Sequence, residues 1–500
     1  MIAEFKQRLG LVNDVLSAVN LLVWDSRTMM PPGGVASRGQ QIATLTVLAR
    51  QLLIADETRR LLDAAERETR HEPSDSAARR MVKQTRAAID HHLRIPEALE
   101  RRRAELRTEA QTAWIDARAN NDFARFEPLL SETFALARQL ADAIGYAGHP
   151  YDAMLSLFEP GETVKSLDTL FATLRAGLVP LIAQAPPPRS EILTRDYPEA
   201  GQRAFGLRIA ERFGYDLSRG RLDPTVHPFE ISFTREDVRI TTVYDRHNLA
   251  VALRGITHEA GHGIYEQGID PEYTRTPLAT DLIGLYAVGG TSFGAHESQS
   301  RLWENHVGRS RPFWELHYAD LQATFPETLR GVPMDDFIAA YNSVEPGPIR
   351  VRADELTYDL HLMLRVDLER ALMDGSLRVR DLPEVWNAAM LRDLGVRVPD
   401  DRNGVLQDIH WAVGYIGSFC TYTVGNVMAA QLYAAATHDP TVELGLRTGD
   451  YAPLRKWLTH AVYRHGRRYS RDELLVRATG RPLDPADYLA YLGGKYGATA

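Results

Sequence analysis

The chain's 500 residues are 44% apolar and 25% charged, which suits a folded globular protein and excludes a disordered or fibrous one. A formal charge of −8 leaves no basic excess, so no nucleic-acid partner is expected. The single cysteine, Cys420, excludes an internal disulfide framework and gives no reason to invoke an oxidising compartment.

The N-terminal stretch sets Ile2, Phe5, Leu9, Val12, Leu16 and Val19 at spacings of three and four, one apolar face of a helix. It mixes charge among these residues and has no basic segment leading into an apolar one, so no secretory signal is expected. No apolar run approaches the roughly 18 residues that would span a bilayer, so no membrane partner is expected and the protein is placed in the cytoplasm. Pro31-Pro32-Gly33-Gly34 ends the first helix, and Pro186-Pro187-Pro188 breaks the chain near its middle. Between them, 75–145 is rich in the helix formers Ala, Arg, Glu and Leu. Residues 229–244 differ, with Ile231 and Phe233, then Val238 and Ile240, at alternate positions around the polar run 234–237. That pattern predicts a β-hairpin. The expected fold is mainly α: a single large helical globule with a small antiparallel β-sheet just before the motif described next. Residues 1–220 form its helical N-terminal part and 221–500 its catalytic part.

Residues 258–262 read His-Glu-Ala-Gly-His, framed by Leu249, Val251, Leu253, Ile256, Ile264 and Tyr265 at helical spacing. Residues four apart on a helix lie about 40° apart around its axis, so His258 and His262 face the same way. They can share one Zn²⁺ at about 2.0–2.1 Å each, and Co²⁺ would also be accepted. Glu259 points to the neighbouring face, where its carboxylate reaches an activated water and takes its proton as the water attacks a carbonyl. The bland alternative is a helix carrying two surface histidines by chance. Gly261 costs about 1 kcal/mol in a helix interior, so its presence suggests a close approach by another part of the chain. A catalytic zinc takes three protein ligands and keeps an open position. Glu297 is the best downstream candidate for the third, and its neighbour His296 is the rival.

Further motifs occur in order along the chain: Trp24-Asp25 with Met30 to Gly34, His227-Pro228-Phe229, Asp237-Val238-Arg239-Ile240-Thr241, HESQSRLWEN at 296–305, IRVRAD at 349–354, GVLQDIHW at 404–411 and TGRPLDPADYLAYL at 479–492. In these, together with HEAGH, the sequence resembles the carboxypeptidase Taq family of thermostable metallocarboxypeptidases almost end to end. The resemblance implies an enzyme that removes C-terminal residues one at a time from peptides with a free C-terminus, with broad side-chain tolerance. It implies a nearly all-helical homodimer with a deep groove similar to that of other gluzincin peptidases, and it assigns Glu297 as the third zinc ligand. The chain departs from the family in a longer separation between His258 and Glu297, with the extra residues within 278–291. It departs again at Ser418-Phe419-Cys420, where Cys420 is expected to be buried and inert.

A carboxypeptidase must bind its substrate's free α-carboxylate, and the planar fork of arginine pairs with both oxygens. The arginines in matching motifs are Arg350, Arg352 and Arg239, of which Arg350 fits the family pattern best. The oxyanion needs a donor besides zinc. His410 and Tyr422 are the candidates, because related gluzincins place a His and a Tyr about twelve residues apart, and Tyr415 is a weaker third. Gln407, Asp408 and Trp411 read as positioning residues, and the strand at 238–244 could pair with an extended peptide. The competing readings are a zinc oligo-endopeptidase, which lacks carboxylate recognition, and a non-catalytic helical scaffold.

Overall fold

The computed structural model describes residues 1–497, and helices dominate it. The chain forms two compact units, each drawn from three separate segments: Met1–His92, Arg189–Tyr341 and Met428–Leu483 in the first, and Leu93–Pro188, Asn342–Val427 and Asp484–Ala500 in the second. The proline triplet 186–188 is where the chain passes from the second unit to the first.

In the first unit, helix α1 (Ile2–Thr28) buries Phe5, Leu9, Val12, Leu16 and Val19, the face that their spacing marks out. Its polar residues cover a sheet edge: Ser17 Oγ donates to the Phe233 carbonyl (2.8 Å) and Asn20 Nδ2 to that of Ser232 (2.8 Å). The sheet comprises β1 (Gly220–Pro224), β2 (Glu230–Thr234) and β3 (Asp237–Thr242) in the order β1-β3-β2. The expected hairpin is β2–β3, antiparallel from Glu230↔Ile240 with an irregularity between Ser232 and Thr234. The sheet is mixed and not purely antiparallel, because β1 pairs in parallel with β3 from Gly220↔Val238 to Pro224↔Thr242. Gly, Asp and Pro are poor strand formers, so this strand owes its place to context. Tyr215 supplies part of that context, its hydroxyl donating to the Val238 carbonyl (2.6 Å) and accepting from the Arg221 amide (3.0 Å).

Helix α2 (Leu249–Gln267) follows the sheet and buries Leu253, Ile256, Ala260, Ile264 and Tyr265 in the large core of this unit. Segment 278–291 is not an exposed loop. Leu282, Leu285 and Ala287 are buried in the same cluster as Phe5, Leu9 and Leu16 of α1, and Asp281 and Tyr286 form a backbone bridge. The segment leads into α3 (Phe293–Arg301), capped by Ser292 Oγ on the Ala295 amide (2.9 Å). One turn of π-helix, Leu302–Val307, continues α3.

In the second unit, α4 (Tyr358–Asp374) is buried along most of its length. The terminal helix α5 (Ala486–Tyr496) is tied to buried Glu355, which accepts from Tyr491 Oη, Tyr496 Oη and Lys495 Nζ at 2.6–2.7 Å. Contrary to the sequence reading, one helix of this unit, Val164–Gln184, is long and apolar enough to cross a membrane by length and composition, with a mean hydropathy of 1.3. It buries Leu167, Leu170, Phe171, Leu174 and Leu178 in the protein, and Arg175 on it pairs with Asp367.

Candidate active site

His258 and His262 project from one face of α2, and Glu297 meets them from α3. Glu297 Oε2 lies 3.6 Å from His258 Nε2 and 3.3 Å from His262 Nε2. Two ligands bound tetrahedrally at about 2.0–2.1 Å are separated by about 3.3 Å, so this spacing fits one zinc-sized cation. Among the described residues this is the group of His, Cys, Asp and Glu donors close enough together to hold a metal ion. α2 and α3 can approach this closely because Gly261 has no side chain. A Cβ there would meet the Gln299 carbonyl oxygen at 2.5 Å and Ser300 Cα at 2.7 Å, which is the close approach expected of this glycine.

Each candidate ligand is held from behind by a different group. His258 Nδ1 contacts Glu304 Oε2 at 2.9 Å, and Glu304 also accepts from Arg301 (3.3 Å) and Arg309 (2.9 Å). Glu297 Oε1 accepts from Arg301 Nε at 2.7 Å. His262 Nδ1 faces His296 Nδ1 at 2.6 Å, and His296 Nε2 faces Glu266 Oε1 at 2.9 Å. His296 therefore reaches His262 and does not join the donor group. Such outer partners fix the tautomer and orientation of metal ligands.

The electrostatics set Glu297 and His262 for these roles, whereas at His258 burial is outweighed by the neighbouring Glu297 and Glu304 carboxylates, which raise it above its ordinary range. Burial would raise the Glu297 carboxyl, but Arg301 and the two histidines override it and hold the group well below the ordinary range, hence ionised. Burial, reinforced by His296, lowers His262 to about 3 and so keeps it neutral, as a metal ligand must be. Burial dominates at Glu259 and raises it to about 7, against the pull of His258. Glu259 is buried on the neighbouring face, outside the donor group, as its place between the histidines predicts.

The remaining candidates lie apart in sequence and environment. Arg239, on β3 of the first unit, has its fork filled by Asp237 (2.9 Å twice) and stacks on the Trp24 ring. The other four belong to the second unit. Arg350 is buried, donating through Nε and Nη2 to Asp408 Oδ1 (3.0 and 2.8 Å) and through Nη1 to Tyr358 Oη (3.2 Å). The Arg352 side chain is exposed. His410 Nε2 and Tyr422 Oη come within 3.5 Å of each other, so these two residues are brought together. Asp408 and Trp411, read as positioning residues, contact α4: Asp408 Oδ2 accepts from Arg365 Nε (2.6 Å), and Trp411 Nε1 donates to Glu369 (2.7 Å). Cys420 is fully buried.

Sequence reasoning missed Glu304, Arg301, Arg309, Glu266, Arg365 and Glu369. For two of them a signal was present. Glu266 continues the four-residue rhythm of His258 and His262, and Glu369 follows Arg365 by one helical turn.

The chain matches the carboxypeptidase Taq (M32) metallopeptidase family over residues 4–496. It is 36% identical to carboxypeptidase 1 of Bacillus subtilis, covering 99% of this chain and 97% of that one. It is 38% identical to thermostable carboxypeptidase 1 of Thermus thermophilus, covering 96% and 94%. The crystal structure of an M32 carboxypeptidase from Deinococcus radiodurans superposes with a TM-score of 0.94 at 41% identity, covering 99% of this chain and 98% of that one. A candidate metal-donor group formed by HEAGH with Glu297 and relatedness over nearly the whole length together make this chain a member of the carboxypeptidase Taq (M32) family, a metallocarboxypeptidase that hydrolyses peptide bonds.

Proposed function

We propose that the enzyme is zinc-dependent and releases amino acids singly from peptide C-termini with broad specificity, using His258, His262 and Glu297 as ligands and Glu259 as general base. The observation that carries this reading is the donor group itself: one ionised carboxylate and a neutral imidazole at ligand spacing, with a second buried carboxylate adjacent but outside it. A zinc ion held there supplies Lewis-acid polarisation of the scissile carbonyl and activates a water. Glu259 takes the proton of the attacking water and delivers it to the leaving amine. His410 and Tyr422 donate to the developing oxyanion.

Arg350 is assigned the substrate carboxylate because it fits the family motif best, with Arg352 assisting and Arg239 third; both Arg350 and Arg239 already pair with a carboxylate, Asp408 and Asp237. Asp408 supports the assignment: its two oxygens serve Arg350 and Arg365, so one carboxylate faces two guanidinium groups and one positive charge is left for an anion. The enzyme is further proposed to be cytoplasmic and homodimeric, the former supported by a lone, buried thiol.

The test pairs metal analysis with two substrates, a blocked N-acyl dipeptide and the same compound amidated at its C-terminus. One zinc per chain with cleavage of the free acid alone is the expected result. Equal cleavage of both compounds would make the enzyme an endopeptidase, and a metal-free, inactive protein would make it a scaffold.

A further inference from the structure

We infer that Glu266 and His296 form a relay that couples the backbone of segment Asp281–Thr291 to the affinity of the site for its metal. The inference rests on the reading of His258, His262 and Glu297 as ligands.

His262 turns Nε2 toward Glu297, so a metal at that nitrogen leaves the proton on Nδ1. The acceptor for that proton is His296 Nδ1 at 2.6 Å. The ring centres lie 4.6 Å apart with planes 27° off parallel, so the two nitrogens meet edge to edge rather than across stacked faces. A ring that accepts at Nδ1 carries its own proton at Nε2, and His296 Nε2 faces Glu266 Oε1 at 2.9 Å. One hydrogen-bond chain with one polarity thus runs from the ligand to a carboxylate. Polarising a ligand's N–H in this way raises its basicity toward the metal.

Glu266 is buried, and its other acceptor positions are filled by the segment together with one residue of β2. The Gly289 amide donates at 3.0 Å, the Gly290 amide at 3.2 Å and Ser232 Oγ of β2 at 3.2 Å. The two glycines let the backbone lie directly on the relay, because a Cβ at 289 would strike the Ile269 side chain and one at 290 the His296 ring. The rest of the segment is pinned as well. Asp281 Oδ1 accepts from the Ile283 (3.0 Å) and Gly284 (3.1 Å) amides, and His92 Nε2 meets the Leu282 carbonyl at 2.8 Å. The carboxylate that orients a metal ligand is therefore itself oriented by this backbone. Coupling of two binding equilibria is reciprocal: a segment that strengthens metal binding is tightened by the metal to the same extent.

The test measures Zn²⁺ affinity by competition with a chromogenic chelator for the wild type, Glu266→Gln, His296→Phe and Glu297→Ala. Alongside it, amide hydrogen exchange is followed over 281–291 in the wild type with and without Zn²⁺. Glu266→Gln is nearly isosteric but puts an NH₂ group against the Gly289 amide, and His296→Phe keeps the ring while removing both nitrogens. Each is expected to bind one Zn²⁺ per chain roughly 10- to 100-fold more weakly than wild type, and exchange at Gly289 and Gly290 is expected to slow when Zn²⁺ binds. Unchanged affinity in both variants, or wild-type exchange indifferent to Zn²⁺, would overturn the relay. The exchange arm needs no substitution, so it decides the question even where a variant fails to fold. Should Glu297→Ala bind Zn²⁺ as tightly as wild type while His296→Phe binds none, the ligand reading fails instead, and His296 is itself a ligand.

Discussion

Glu259 and Glu297 are buried carboxylates in one site, yet their surroundings set them different tasks. Arg301 and two imidazoles converge on Glu297 and keep it charged, as a ligand requires. Burial dominates at Glu259, which suits a group that gains and loses a proton. Glu259→Gln should therefore keep one metal per chain and lose about 10²- to 10⁴-fold in kcat, and activity near wild type would remove Glu259 from the mechanism. Arg350→Ala should lower kcat/KM for a free-acid peptide by roughly 10- to 150-fold, the loss of a charge-assisted bond worth about 1.5–3 kcal/mol. Lysine should restore only part, because it offers a point charge and no fork. The arginine variant should also discriminate less between acid and amide, and an equal loss for both would make the Arg350–Asp408 pair structural. At this scale HEAGH was legible because the helix converts a spacing of four into one face. Glu304 and Arg309 were not, because their importance comes from facing His258 and each other, which no local spacing records.

Among the elements, the contact between α2 and α3 sets the distance across which the ligands meet, and Gly261 sets that contact. Gly261→Ala gains about 1 kcal/mol in helix propensity, but the new methyl group meets backbone atoms, which cannot rotate aside. Overpacking of this kind costs about 1–3 kcal/mol, so chemical denaturation should show an unchanged or lower stability, and chelator competition a weaker metal affinity. An alanine variant that is more stable and binds as tightly would mean that α3 moves away without cost. The π turn after α3 has the same local importance. Arg301 and Glu304 would share a face of a regular helix, but Glu304 and Arg309, five residues apart, would be turned about 140° from each other at 100° per residue, and the π turn between them reduces that angle. Long helices and the β2–β3 hairpin could be read from periodicity. Strand β1 could not, since Gly220-Arg221-Leu222-Asp223-Pro224 lacks alternation and its partner lies beyond the next strand.

For the molecule as a whole, the second unit contains a buried carboxyl that makes its stability depend on pH. Burial raises Glu369 to about 7, although Tyr151 Oη (2.5 Å), the Gly417 amide (2.9 Å) and Trp411 Nε1 (2.7 Å) all donate to it and Arg365 lies near. The folded protein thus keeps a proton that the unfolded chain releases above about 4.3. Its contribution is fully present below that value, declines as pH rises, and is gone above about 7. The shift corresponds to about 4 kcal/mol, so the wild-type urea midpoint should fall between pH 5 and 7.5 by more than that of Glu369→Gln. Parallel curves would show that Glu369 does not titrate in this window. The division into units was the least legible feature of all. Each takes three segments separated by long stretches of sequence, and apart from the proline triplet at 186–188 the composition changes little where one gives way to the next.

That interleaving has a consequence for biosynthesis. The helices bearing the proposed metal ligands end before Tyr341, but Tyr463, which packs on Tyr265 and accepts from Trp303 Nε1 (3.2 Å), lies in the last segment of the first unit. So does Tyr469, whose carbonyl receives Thr291 Oγ1. On a ribosome adding about 5–20 residues per second, the HEAGH helix emerges and then waits roughly 10–40 s for its covering layer. The second unit waits longer still, because Glu355 gains its partners only from α5 at the very end. The packing behind the HEAGH helix is thus completed late in synthesis, and a nascent or C-terminally clipped chain lacks the contacts that Tyr463 and Tyr469 make to Tyr265, Trp303 and Thr291.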